Sequence, residues 1–394
     1  MYRISNIALR GRKGSYELTI NGGKIYKIAP WDGSEGEIDG EGNLLTESFV
    51  VPHVHIDKVE TGPMVEKVTM NVYQLGTGAR DAIKAAALVK KEYDPDKIYV
   101  RVKQRMLEAI KYGVTHVRGF VDVDTAAELK GFTGAVRARD ELKYMMQLQI
   151  VAFPQQGLIM DPGAVDLVEE AVRKGADVVG GIPWIEDGEN DQREHIRQVL
   201  EIAKRHSKPA AFLVDDAPDP ALRSLEMLAE ETENAGMTGK VEACHARALQ
   251  LYDESSLIRV LGKVKRAEIS LVTNPHTGAY HLPIARALDY GVNVALGQDD
   301  CNDAYYPYGR CNMLEVGFLA THLLWSMDEG GREMVYDMIT KRAARAIGLE
   351  GHEVKEGSDA NLVILNSASV REALRYHRKS RTVLFGGRPV AQGT

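Results

Sequence analysis

A His-x-His pair closing an apolar run, Ser48-Phe49-Val50-Val51-Pro52-His53-Val54-His55, constrains this chain more than any other feature. Side chains alternate along an extended strand, so residues two apart face the same way. Two imidazoles side by side at the mouth of a strand are half of a metal site. The rest of the chain must then bring further donors to the same point.

The order of segments supplies a scaffold for that. After the strand ending at His53, apolar runs recur at Val114–Val121, Leu148–Phe153, Val178–Pro183, Ala210–Val214, Val241–His245, Ile269–Asn274 and Asn293–Gly297. Amphipathic stretches separate them at Val102–Lys111, Val165–Lys174, Asp191–His206, Pro220–Asn234, Ser255–Lys263 and Leu282–Tyr290. Eight such units predict an α/β fold, a (β/α)8 TIM-type barrel over residues 49–350, with a helical pattern from Met313 to Ala346 packing on afterwards. Hairpin signals lie near both ends, at Asn21-Gly22-Gly23 and Gly386-Gly387. Residues 1–48 and 351–394 are therefore expected to pair into a small β-sandwich side domain.

A barrel of this kind gathers its chemistry at the C-terminal ends of its strands. His53 and His55 end the first. Gln155 follows the third, and Trp184 and Glu186 follow the fourth. Asp215 and Asp216 end the fifth, His245 the sixth, Asp299 and Asp300 the eighth. Polar groups of metal-site type thus collect at one end of an apolar scaffold.

Composition narrows the class. A net charge of -7 without a basic block argues against nucleic-acid binding. Three scattered cysteines fit a reducing compartment rather than a disulfide scaffold. No apolar run reaches the ~20 residues that cross a bilayer, and Met1-Tyr2-Arg3 leads straight into a strand pattern. A soluble cytoplasmic protein acting on a small molecule is expected, away from membranes.

Several stretches resemble the amidohydrolase superfamily, and within it the cytosine deaminase-like group. They are Pro52-His53-Val54-His55-Ile56-Asp57-Lys58, Thr115-His116-Val117-Arg118, Val151-Ala152-Phe153-Pro154-Gln155, Gly181-Ile182-Pro183, Cys244-His245-Ala246-Arg247-Ala248, Gly297-Gln298-Asp299-Asp300, Tyr306-Pro307-Tyr308-Gly309 and Glu356-Gly357-Ser358-Asp359-Ala360-Asn361. The resemblance implies one divalent ion (zinc or iron, with manganese a further option) held by His53, His55 and Asp299. It implies hydrolytic deamination of a nitrogen heterocycle, in which a metal-activated water attacks the amino-bearing ring carbon and ammonia leaves. His245 would hold or polarise the water, Asp216 would move protons, and Gln155 would bind ring heteroatoms. Trp184 would wall the pocket, and Tyr305 would take the place of a ring-stacking aromatic. A homo-oligomer is expected on the same ground.

The chain departs from the family at the fifth strand. Leu213 stands where the family places a metal-binding His, and Asp216 where it places a Glu. Phe120 replaces a frequent His on the second strand. Asp215 shares a strand face with Leu213 and is a candidate substitute ligand; Asp215 and Asp216 could merely cap the next helix, but two carboxylates at a strand end beside a metal pair are better read as catalytic candidates. Asp300 is expected to orient a neighbour such as His55. Two other readings stay open: a metal-dependent cyclic amide hydrolase, and a metal-free barrel that lost catalysis and binds a ligand.

Overall fold

A computed structural model describes residues 1–62, 83, 87, 89–303 and 305–393. The strands are β1 (Tyr2–Leu9), β2 (Tyr16–Asn21), β3 (Lys24–Pro30), β4 (Ile38–Asp39), β5 (Leu44–Glu47), β6 (Phe49–His55), β7 (Val114–Asp122), β8 (Gln147–Phe153), β9 (Val178–Gly181), β10 (Ala210–Val214), β11 (Val241–His245), β12 (Ser270–Thr273), β13 (Val294–Leu296), β14 (Leu362–Ile364), β15 (Thr382–Phe385) and β16 (Arg388–Gln392). The helices are α1 (Pro95–Lys111), α2 (Lys130–Leu142), α3 (Ala164–Arg173), α4 (Glu189–Arg205), α5 (Ser224–Ala235), α6 (Glu254–Arg266), α7 (Ile284–Asp289), α8 (Met313–Leu323), α9 (Glu329–Met338), α10 (Lys341–Ala346) and α11 (Val370–Tyr376).

Strands β6 to β13 pair in parallel, each with its sequence neighbour. A parallel bridge between Val54 and Asp299 joins the two edges, so the sheet closes into a barrel. Alternation sorts its side chains. Val51, Val117, Ile150, Phe212, Ala243 and Val294 pack outward with the helices. Val50, Phe120, Val151, Phe153, Leu213, Cys244, Val272 and Ala295 fill the interior.

At the chain ends, β16-β15-β14-β5-β1-β2-β3 form a second, largely antiparallel sheet, with β4 beside β1. Its own apolar core takes Ile4, Ile7, Leu18, Ile20 and Ile25 from the N-terminal part and Leu362, Ile364 and Leu384 from the C-terminal part. The chain passes from this sheet to the barrel between Glu47 and Phe49.

Helix α1 begins where Asp94 accepts from the backbone N–H groups of Asp96 and Lys97, with Pro95 in the first turn. Helix α2 was not among the expected helices, because its buried stripe is made largely of glycine and alanine (Gly131, Gly134, Ala135 and Ala138). Gly134 explains both its weak signal and its use: a Cβ there would lie 2.6 Å from the Pro95 carbonyl, so glycine lets α2 lie against α1.

His116 lies at the barrel foot and packs on His352 and Phe385. Burial, with His352 adding to it, holds its pKa down at about 3. A histidine kept neutral in the fold and free to protonate when unfolded contributes stability that is complete above pH ~6.5 and is lost as pH falls towards 3. Thermal unfolding between pH 7 and 5 should therefore show a falling Tm, with up to ~1.4 kcal/mol per pH unit due to this group. His116→Asn should flatten that slope; an unchanged slope would assign the effect to other groups.

Candidate active site

The His-x-His pair reaches the interior through an irregularity in β6. Between Val51 and Val54 the strand spends one more residue than β7 does between Val117 and Gly119. That bulge resets the alternation. Val50 points inward and Val51 outward, and a regular strand would send both histidines outward. With the bulge, His53 and His55 pack against the interior rings of Phe120 and Phe153, their own centroids 5.1 Å apart.

Barrel closure delivers the carboxylate. Gln298 and Asp299 N–H groups donate to the His53 carbonyl at 2.9 and 3.0 Å, and His55 N–H donates to the Asp299 carbonyl at 2.7 Å. His53 Nε2 lies 3.1 Å from Asp299 Oδ1. Gly297 makes this approach feasible, since a Cβ there would meet Asn274 Oδ1 at 2.3 Å and His53 Cβ at 3.0 Å. One donor atom from each of His53, His55 and Asp299 falls within 4.8 Å of the others.

His245 and Asp216 flank this cluster. His245 Nε2 is 3.7 Å from Asp299 Oδ1, and its Nδ1 is 3.5 Å from Asp216 Oδ1. Arg247 ties the group together. Its Nε donates to Asp216 at 2.5 Å, Nη2 to Thr277 Oγ1 at 2.9 Å, and Nη1 to the Tyr280 carbonyl at 3.0 Å. Thr277 in turn donates to Asp299 Oδ2 at 2.6 Å. A Cβ at residue 278 would strike Arg247 Nη1 at 2.3 Å, so Gly278 leaves the guanidinium its room.

Electrostatics follow from burial and these neighbours. Burial alone would raise the Asp299 pKa, but His245, His53 and Arg247 hold it well below the usual range. Burial pushes His55 far down and His245 down, so both are neutral and able to donate a lone pair. His53 Nδ1, His55 Nδ1 and His245 Nε2 are buried and have no hydrogen-bond partner among the described residues. Unengaged imidazole nitrogens, those of His55 and His245 on neutral rings, beside an ionised carboxylate are the donor set that a divalent ion takes. The residues fit such an ion.

Asp215 is not brought to this cluster. Its φ of 47° breaks the alternation that would have aimed it inward. Its carboxylate instead accepts from Ser224 N (2.7 Å), Ser224 Oγ (2.6 Å) and Leu225 N (3.1 Å), at the start of α5. This corrects the expectation of a substitute ligand: both oxygens are spent on a helix N-terminus. Leu213 does face the interior, within the apolar cluster of Phe120 and Phe153. Cys244 stands one residue before His245, so regular strand alternation would put it on the outer, packing face; it belongs to that interior cluster instead, and donates to Glu242 at 3.3 Å. A φ of 72° at His245 and 50° at Ala246 turns the chain there and inverts the simple count.

Gln155 is buried beside the end of β8, its Oε1 without a partner among the described residues. Its loop is held by Glu186, which accepts from the N–H groups of Leu158, Ile159 and Met160 and pairs with His195 Nδ1 at 2.7 Å. Trp184 is buried in a short 3-10 turn, Pro183–Ile185, against the interior cluster. The Tyr305 hydroxyl is buried without a hydrogen-bond partner among the described residues and lies near an ionic group. Burial, then the carboxylates of Asp122, Asp300, Asp303 and Asp57, raise that phenol. In this group Lys58 meets Asp122 at 2.5 Å, and Lys90 meets Asp122 at 2.7 Å and Asp124 at 2.5 Å. Burial and the neighbouring Asp303 and Asp299 charges raise the Asp300 carboxyl well above the usual range, and His55 Nδ1, which Asp300 was expected to orient, has no hydrogen-bond partner among the described residues. Sequence reading gave Lys58, Lys90, Arg247 and Thr277 no role. Lysines deep in a fold carry no periodic signal, and Arg247 matters through partners about 30 residues away or more.

Fold and site together define a barrel enzyme whose donors sit at the strand ends. A model of the amidohydrolase family matches residues 64–391. The chain belongs to that family of hydrolases acting on carbon–nitrogen bonds, and within its superfamily it is cytosine deaminase-like. It is 27% identical to N-isopropylammelide isopropyl amidohydrolase of Pseudomonas sp. (strain ADP), over 99% of this chain and 96% of that protein. It is 24% identical to the pterin deaminase of Rhizobium rhizogenes, over 95% of this chain and 87% of that one. The structure of 5-methylcytosine deaminase from Klebsiella pneumoniae, liganded with 5-fluorocytosine, superposes with a TM-score of 0.91 at 27% identity, covering 100% of this chain and 98% of that one. Among the described residues no helix is long and apolar enough to cross a membrane.

Asp215→Ala separates a cap from a ligand. Losing three buried acceptor contacts at α5 should cost about 2 kcal/mol, read by denaturant unfolding, with bound metal per chain unchanged. A drop in metal content without loss of stability would restore Asp215 to the ligand set.

Proposed function

We propose that this protein is a metal-dependent hydrolytic deaminase of a small nitrogen heterocycle, cytosine deaminase-like in its chemistry. The observation that carries the reading is the convergence of His53, His55 and Asp299 within 4.8 Å at the barrel mouth, with His245 and Asp216 beside them. His53, His55 and Asp299 would hold one divalent ion, zinc or iron, with manganese a further option. Such an ion, when bound, supplies the Lewis acidity that brings a water's pKa from ~16 towards ~7.

The chain's own groups do the rest. Gln155 presents an amide to ring heteroatoms, and Trp184 and Tyr305 bound the pocket that orients the ring. His245, kept neutral by burial, hydrogen-bonds the attacking water or the charge that develops on the substrate. Asp216 carries a proton to the ring nitrogen and then to the leaving amine. Its side chain is one methylene shorter than Glu, so its reach is less by ~1.5 Å. Arg247 fixes the shorter carboxylate in place through the 2.5 Å contact.

Leu213 favours a second reading. An apolar side chain in the interior beside Phe120 suits a barrel that binds a ligand without a metal. A cyclic amide hydrolase would use the same groups on a ring carbonyl.

Elemental analysis of protein purified without added metal decides between these classes. About one equivalent per chain, lost in Asp299→Ala, supports the enzyme; no metal even after reconstitution supports the binder. An ammonia and amine release screen over cytosine, isocytosine, 5-substituted cytosines and aminotriazines, beside a ring-opening assay on cyclic amides, then separates the two hydrolases. Asp216→Asn should lower kcat by at least 100-fold with metal content retained. Full activity in that variant would remove Asp216 from the mechanism.

A further inference from the structure

Two thiols bracket the loop that leaves the candidate site. Cys301 lies two residues after Asp299, and Cys311 lies at the far end of the same loop. Both are fully buried, and their sulfurs are 3.3 Å apart. The loop base between them is tightly built. Gln298 accepts from the Cys311 N–H at 2.9 Å and donates to the Asp300 carbonyl at 3.2 Å. A Cβ at residue 309 would fall 1.8 Å from the Asp300 carbonyl oxygen, so only glycine lets the two loop arms touch. The Cys301 carbonyl accepts from Glu60 N–H at 3.0 Å, which anchors one arm to the chain beyond β6. Within the loop, Asp303 caps the N–H groups of Tyr305 and Tyr306, and the Tyr306 ring packs edge-on against His276 at 5.4 Å. Cys244, the third thiol, is engaged with Glu242 in the barrel interior.

A dithiol already in sulfur–sulfur contact at 3.3 Å has only the remaining gap to the ~2.0 Å of a disulfide to close. We propose that Cys301 and Cys311 are a modification site, oxidised by a small disulfide to an internal bridge that locks the loop carrying Tyr305 and Tyr306. The step is two thiol–disulfide exchanges. One protein thiolate attacks a sulfur of the small disulfide, forming a mixed disulfide and releasing one small thiolate. The second protein thiolate attacks the protein sulfur of that mixed disulfide and releases the other. Two electrons and two protons pass from the protein to the small disulfide, which leaves as two thiols. Asp299 is outside the bridge, so the donor cluster stays in place in both states. The inference does not rest on the proposed reaction.

The full-length protein, purified reduced, is tested in two arms with oxidised glutathione: in native buffer, and during refolding from denaturant. Each sample is quenched in acid, alkylated, digested and mapped by mass spectrometry. The expected product is a Cys301–Cys311 peptide pair lacking two hydrogens, carrying no glutathione, reversed by dithiothreitol, and accompanied by free Cys244. The bridged form should melt roughly 3 °C or more above the reduced form. Cys301→Ser and Cys311→Ser should each abolish the bridge and the melting shift. A bridge in either arm supports the site. Three free thiols in both arms, or bridges distributed equally onto Cys244, would overturn it.

Discussion

Closure of the barrel between β6 and β13 is the constraint on which the rest depends. The bonds that seal it run between His53, His55, Gln298 and Asp299. The residues that close the sheet are thus the residues whose side chains converge. Bringing chain positions 246 apart into register is costly in loop-closure entropy on its own. Here the price is met by the fold as a whole, and the donor cluster comes preassembled. Its precision derives from sheet hydrogen bonds rather than from a flexible loop.

The mouth of the barrel is made by breaking strand geometry at chosen points. A bulge at Pro52-His53 turns two histidines inward. Left-handed backbone at Asp215, His245 and Asp299 ends β10 and β11 and shapes the turn after β13. Such conformations cost roughly 1–3 kcal/mol each for a residue with a side chain, and persist where the surroundings hold them. The surroundings are visible: Asp215 is pinned by Ser224 and Leu225, and Asp299 by Thr277 and His53.

Much of this was legible in the sequence, within limits that have physical causes. Parallel strands buried on both faces read as plain apolar runs, and β10 and β11 appear over their expected ranges. Helix α2 escaped because Gly131 and Gly134 dilute its pattern while serving close packing. Residue types at strand ends pointed to His53, His55, His245, Asp216 and Asp299, and the fold brings these five together. Parity arguments held only while the strand stayed regular. They aimed Asp215 inward and Cys244 outward, and a positive φ at the strand end reversed each outcome. Partners such as Arg247 with Asp216, or Lys90 with Asp122, are set by tertiary packing and leave no local trace.

The site that results is an apolar floor of Phe120, Phe153 and Leu213 beneath neutral imidazoles and one ionised carboxylate. The most direct measurement is anomalous diffraction at the zinc edge from crystals of the zinc-loaded protein. The account requires one peak, about 2.0–2.2 Å from a nitrogen of His53, a nitrogen of His55 and an oxygen of Asp299. A map with no peak between these three side chains, or with its only peak elsewhere, would contradict it.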